Sequence, residues 1–169
     1  WELLKIYQKI NYKTYRKINI METLSYETEI NAPLQKVWDI LWGPETYSEW
    51  TQFFSPGSTS RMKSDWNIGG KTYFLNADGE GMVSTIDSLD EPNQIVFKHL
   101  GMVDRDGNED TQSKEVMEWS GCYEKYFLID LGGKTKLHVE VQTDKAWEEH
   151  MNSGFTQGLE LVKKLAENS

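Results

Sequence analysis

The chain has 169 residues, with seven Trp, eight Tyr and six Phe among its 38% hydrophobic residues, and a formal net charge of −9. That length suits one domain whose core needs no covalent staples, and the acidic balance argues against nucleic acid or anionic lipid as principal partners. A lone cysteine, Cys122, excludes an internal disulfide and suits a reducing, cytoplasmic setting, while no run approaches the ~18 apolar residues of a membrane span.

Residues 1–20, WELLKIYQKINYKTYRKINI, hold five bases and one acid, so residues 21–169 carry −13. Leu3, Leu4, Tyr7 and Ile10 share helical spacing, which permits a basic membrane-surface helix. The plainer expectation is an N-terminal extension over 1–20 that is not part of the fold, followed by a single domain over 21–169. The segment has neither the long apolar core nor the small-residue cleavage site of a signal peptide.

From Leu24, LSYETEIN alternates apolar and polar, the pattern of a half-buried strand. The period then changes. Pro33 suits a first helical position, and Leu34, Val37, Trp38 and Leu41 fall on one helical face. Gly43-Pro44 ends that helix, and PETYSEW opens a second, short one. A series of strands follows, punctuated by NIGG, ADGEG, EPN and LGG. VMEWSGCYEKYFLID reads as one strand, and Leu137, Val139 and Val141 alternate with polar residues in the next. Short links between successive strands imply an antiparallel meander. Asp144 is a candidate N-cap for a last helix over 145–166, with Glu148 and Glu149 at its positive end and Lys163 and Lys164 at its negative end. Strand, two short helices, about six strands and one long helix make an α+β chain.

In that order the motifs resemble START-like (SRPBCC, Bet v-like, helix-grip) domains. Within them, ETEINAPLQKVWDILWGPETYSEW is similar to the opening of the activator of heat-shock-protein ATPase homologue-like family, at Ile30, Ala32, Pro33, Val37, Trp38 and Trp50. SDWNIGGKTYF, GMVSTIDSLDEPNQIVF and SGFTQGLELVKKL continue the resemblance across residues 22–166. It implies a curved antiparallel sheet of about seven strands gripping the long C-terminal helix around an apolar cavity. It also implies a preference for hydrophobic molecules, with one branch of the family acting as co-chaperones.

The last helix carries an anomaly. Met151, Phe155, Leu159 and Val162 form one apolar stripe, yet Gly154 and Gly158 lie on or beside it, each costing a helix interior ~1 kcal/mol relative to Ala. Either they leave room for a ligand, or they let the backbone pack tightly on aromatic side chains. The supply of rings tilts the reading toward a cavity, with Trp50, Trp66, Tyr73, Phe97, Trp119, Tyr123, Met151, Gly154, Phe155 and Gly158 as candidate lining. His99 joins them because in QIVFKHL it shares a face with Ile95 and Phe97, from where it would act as a base or hold a ligand's polar end. His138, among charged neighbours, reads as solvent-facing, and His150 sits near the cavity mouth.

No other chemistry stands out. Asp104, Asp106, Glu109 and Asp110 are close together, but their spacing departs from a calcium loop, whose glycine stands at position six. No cluster has zinc-ligand spacing, and neither GGK opens a helix as a phosphate loop must. No cofactor, no metal and no catalytic residue is therefore expected. The leading expectation is a monomer or weak dimer that binds a small hydrophobic molecule without catalysis. The alternatives are a cyclase- or hydrolase-like enzyme on an aromatic or polyketide-like substrate, and a co-chaperone-like domain whose partner is a heat-shock chaperone. A buried polar pair in the cavity would favour the enzyme; a filled core with a large exposed apolar patch would favour the chaperone partner.

Overall fold

Ten residues of unbroken alternation begin the fold in the computed structural model, which describes residues 21–169 apart from Pro56 and Ser58. The expected extension over 1–20 lies outside the described residues. Strand β1 (Met21–Ile30) turns Leu24, Tyr26 and Ile30 inward and is followed by helices α1 (Leu34–Trp42) and α2 (Pro44–Thr51). Pro33 precedes α1 and Gly43-Pro44 separates the two helices, so the breaks fall where the sequence places them. A 3-10 turn (Gln52–Phe54) then leads to β2 (Arg61–Ser64), β3 (Lys71–Leu75), β4 (Gly81–Asp90), β5 (Gln94–Val103), the two-residue β6 (Glu109–Asp110) and the short helix α3 (Lys114–Met117). Strands β7 (Tyr123–Asp130) and β8 (Thr135–Asp144), a second 3-10 turn (Lys145–Trp147) and the long helix α4 (Glu148–Asn168) complete the chain.

The strands form one antiparallel sheet in the order β1-β8-β7-β5-β4-β3-β2, with β6 paired to β5 outside that path. This is the expected helix-grip arrangement, with eight strands instead of about seven because β6 is added. A single strand from Val116 to Asp130 is not what forms. Ser113 caps α3 by accepting the Val116 N–H, and Gly121 at φ +93° lets the chain turn so that its N–H reaches the His99 carbonyl. Only then does β7 begin. Asp144 caps the Lys145–Trp147 turn, its carboxylate accepting the Ala146 N–H at 2.8 Å, and α4 starts after it.

The core is a layer of rings between the sheet and the helices. Trp42 touches Trp38, Tyr47, Phe97 and Tyr126 at ring separations of 4.9–6.4 Å. Helix α4 lies on β1 and against α1, α2 and the Gln52–Phe54 turn, and Phe155 stacks on Tyr26 at 4.8 Å.

The two glycines on α4 face those short helices, not the sheet. A Cβ at Gly158 would lie 2.8 Å from the Trp50 carbonyl oxygen and 3.1 Å from the Trp50 ring, and one at Gly154 would strike the ring of Phe54. Neither glycine opens onto ligand space. Both are sites of close approach, which corrects the expectation that they line a cavity.

Trp50 is pinned at this contact by its indole N–H, which donates to the buried Leu41 carbonyl at 3.0 Å. Trp50→Phe removes that bond and leaves the carbonyl unpaired, so a loss of about 1–2 kcal/mol is expected. Among the described residues the Trp42 indole nitrogen has no hydrogen-bond partner, so Trp42→Phe loses ring packing alone. Urea melts of the two variants should rank Trp50→Phe as the more damaging, and the reverse order would contradict the role of this bond.

Candidate functional site

Between the inner face of the sheet and α2, the Gln52–Phe54 turn and the start of α4 there is a cavity of about 240 Å³. Its volume lies between the roughly 150 Å³ that takes benzene and the roughly 300 Å³ at which drug-sized sites begin. Tyr47, Trp50 and Phe54 form the helical wall, Phe74 and Tyr126 the sheet wall, and Phe155 the α4 wall. The partly exposed Trp119, Trp147, His150 and Met151 stand toward the outside. Each ring is there for a local reason: Tyr47 and Trp50 share the buried face of α2, and Phe74 and Tyr126 occupy inward positions of β3 and β7.

Set into this apolar wall is a chain of polar groups. Ser84 and His99 are direct partners in the β4–β5 register, and Ser84 Oγ lies 2.6 Å from His99 Nδ1. On the far side of the imidazole, His99 Nε2 is 3.9 Å from Glu124 Oε2. The Tyr126 hydroxyl donates to Glu124 Oε1 at 3.2 Å. Both His99 and Glu124 are cavity-wall residues, with side chains only 11% and 18% exposed.

Burial dominates their proton affinities. It lowers the His99 imidazole to about 4. It raises the Glu124 carboxyl to about 7, against a smaller opposing effect of the Tyr126 hydrogen bond. Burial and the nearby Glu124 raise both Tyr47 and Tyr126, so their hydroxyls remain protonated donors. Between about pH 5 and 6 the imidazole is neutral and the carboxyl largely so. The 3.9 Å contact is then neither an ion pair nor a hydrogen bond. A neutral carboxylic acid beside a neutral imidazole is able to donate to, accept from or exchange a proton with a molecule in the cavity.

Of the residues proposed from the sequence, Trp50, His99, Trp119, Met151 and Phe155 come together on this cavity. The others do not. Trp66, held at φ +57° in the β2–β3 connection, turns its ring onto Trp38 and Trp42. Phe97 is fully buried in the ring layer behind the cavity wall, touching Phe74, Trp42 and Tyr126. Tyr73 has the opposite parity to inward Phe74 and donates its hydroxyl to Glu109 at 2.6 Å. Tyr123 likewise faces away, between the ammonium groups of Lys98 and Lys125. Gly154 and Gly158 are occupied by Phe54 and Trp50, as described above.

Two further wall residues, Glu124 and Tyr126, are not among those proposed from the sequence. Leu128 and Tyr126 mark the inward parity of YEKYFLID, which carries Glu124 inward with them. His150 lines the cavity, and its Nε2 is buried without a hydrogen-bond partner among the described residues. His138 lies on the other face, 3.1 Å from Glu27 and 3.2 Å from Glu140.

Among the described residues no group of three or more His, Cys, Asp or Glu side chains is placed to hold a metal ion. Asp104 instead closes its own loop by accepting the Asp106 and Asn108 N–H groups. Cys122 lines the cavity, where burial pushes its thiol up. Among the described residues no helix is long and apolar enough to cross a membrane.

The fold recurs in solved structures. A protein from Arthrobacter aurescens superposes with a TM-score of 0.63 at 18% identity, covering 87% of each chain. The Aha1 dimer from Colwellia psychrerythraea matches with a TM-score of 0.63 at 14% identity, over 87% of this chain and 97% of that one. DynU16, from the dynemicin biosynthetic locus, matches with a TM-score of 0.60 at 14% identity, over 86% of this chain and 47% of its own. No curated protein matches the sequence. The model of one family, activator of Hsp90 ATPase homolog 1-like protein, matches residues 31–167. With nearly the whole described domain matched and its helix-grip fold in place, the chain belongs to the activator of Hsp90 ATPase homolog 1-like family.

Proposed function

We propose that this domain binds a small, mainly apolar molecule in the cavity between the sheet and its helices. One observation supports this above the rest: about 240 Å³ of ring-lined space between the sheet and the helices. Close packing is the rule in protein interiors, and a void of this size with a placed polar group fits the design of a small-molecule site. A cytoplasmic protein, working as a monomer or weak dimer, is part of the same reading.

A second reading is acid–base catalysis of the cyclase or hydrolase type on an aromatic or polyketide-like substrate. It is favoured by the polar pair itself, since His99, Glu124 and Tyr126 supply a neutral base, a neutral acid and a hydroxyl at one wall. A chaperone partner has less support. Among the described residues the exposed large apolar side chains are Met21, Ile68, Met117, Ile129 and Leu131, and none of them is aromatic.

Cys122 provides the test, because it is the one cysteine of the chain and lines the cavity. Iodoacetamide should alkylate it slowly, as expected for a thiol with a raised pKa. Saturating 1-naphthol, a two-ring phenol, should slow it several-fold further. Unchanged alkylation in the presence of bound naphthol would place that ligand elsewhere and overturn the proposal.

A further inference from the structure

We propose that the His99–Glu124 pair is the anchor for the ligand's polar end, and that it selects an uncharged oxygen (a ketone, phenol or alcohol on a one- or two-ring skeleton) over a carboxylate or an amine. This rests on the cavity being a binding site.

The geometry assigns the open valences. Ser84 holds Nδ1 of His99 at 2.6 Å, and Tyr126 holds Oε1 of Glu124 at 3.2 Å. Each side chain thereby keeps one polar atom for the cavity, Nε2 and Oε2, and these lie 3.9 Å apart. That separation is too long for a mutual hydrogen bond. An oxygen placed roughly 2 Å off the line between them lies within ordinary hydrogen-bond distance of both. The hydroxyl of Ser84 rotates, so Nδ1 either accepts or donates, and Nε2 takes the complementary role. With the carboxyl protonated, the pair presents two donors to a carbonyl oxygen, or one donor and one acceptor to a hydroxyl.

Charge decides against the ionic alternatives. Among the described residues no Lys or Arg lines the cavity, so a ligand carboxylate would be buried beside no cation of theirs unless His99 took up a proton, and burial opposes that. An ammonium would require Glu124 to ionise, which burial opposes as well below about pH 7. An uncharged oxygen requires neither change. Around the pair, Tyr47, Phe74 and Tyr126 leave room for a flat apolar body and give it ring edges and faces to pack against.

A matched series at pH 6 tests this: naphthalene, 1-naphthol, 1-tetralone, 1-naphthoate and 1-naphthylmethylamine, each titrated against the protein with Cys122 alkylation as the occupancy readout. Naphthol and tetralone should bind at least ~10-fold more tightly than the other three, the scale of one well-made hydrogen bond. Glu124→Gln retains an uncharged donor and acceptor at the same place, so it should keep that preference within about threefold. Glu124→Leu and His99→Leu should reduce naphthol to the level of naphthalene while naphthalene affinity, the internal control for an intact cavity, is held. Tightest binding of the naphthoate or the amine, or loss of the preference in Glu124→Gln, would overturn the assignment. If all five bind alike and protect Cys122, the cavity reading stands and the anchor fails. If none protects Cys122, the cavity reading itself fails.

Discussion

Gly158→Leu is expected to destabilise the fold by roughly 2–3 kcal/mol, in the upper part of the range for overpacked cores. Gly158→Ala is expected to destabilise it too, against a gain in helix propensity of about 1 kcal/mol. The opposing surface decides the sign. At 2.8 Å from a Cβ at this position stands the carbonyl oxygen of Trp50, a backbone atom near the end of α2. It cannot yield, because the Trp50 indole is fastened to the Leu41 carbonyl and its ring is enclosed by Tyr47, Phe54 and Tyr126. Gly154 offers a contrast on the same helix face. Its neighbour is the side chain of Phe54, which is partly exposed and borders the cavity, so a side chain and not the backbone has to shift. Gly154→Ala should therefore cost less than Gly158→Ala. Denaturant midpoints for the three variants check the ranking, and a raised midpoint for Gly158→Ala would show that space, not close approach, lies opposite α4.

The buried pair makes a second large prediction, visible only when its members are separated. In the unfolded chain His99 titrates near its ordinary 6.5 and Glu124 near 4.5; in the fold they titrate near 4 and 7. Between about pH 4.5 and 6.5 the unfolded chain keeps one proton on His99, and the native state keeps one on Glu124. Folding moves a proton from one side chain to the other without net uptake, so the pair adds almost no pH dependence to stability over that span.

Glu124→Gln removes the compensation. The native state then binds one proton fewer than the unfolded state between about pH 4 and 6.5, and stability rises with pH by about 3 kcal/mol over that window. His99→Leu leaves Glu124 alone. The native state then holds the extra proton between about pH 4.5 and 7, and stability falls by about 3 kcal/mol as pH rises. Neither shift depends on the partner's charge, because burial is the leading cause of each. Ser84, Tyr47 and Tyr126, which lie against the pair, do not titrate in this range, and His150 on the same cavity is common to all three proteins. Urea unfolding at pH 4.5, 5.5, 6.5 and 7.5 should show opposite slopes for the two variants relative to the parent protein. Parallel profiles for all three would mean that the pair does not redistribute its proton on folding.

Much of this protein is written locally along the chain. Pro33 and Gly43-Pro44 delimit α1 and separate it from α2. The alternation in β1 and β8 fixes which residues face in, and the tight links between strands impose antiparallel order. Even the inward position of Glu124 follows from the parity of Tyr126 and Leu128. These features are determined by backbone sterics and a two-residue period, which act between near neighbours.

What lies opposite each face was decided by the tertiary structure. Burial of apolar area is non-directional, so the glycine-bearing stripe of α4 is equally suited to a sheet, a ligand or another helix. It met α2 and the Gln52–Phe54 turn. Phe97, a candidate from the sequence, was set behind the cavity wall by packing, and Phe74 stands in front of it. The polar pair needed more still: the β4–β5 register shifts beside Ser84 and pairs it with His99, and β7 lies against β5 so that Glu124 opposes Phe97. His99 and Glu124 are 25 positions apart in the sequence, and only the closing of the sheet brings them into one apolar wall, where between about pH 4.5 and 6.5 burial holds neutral two groups that water would keep charged.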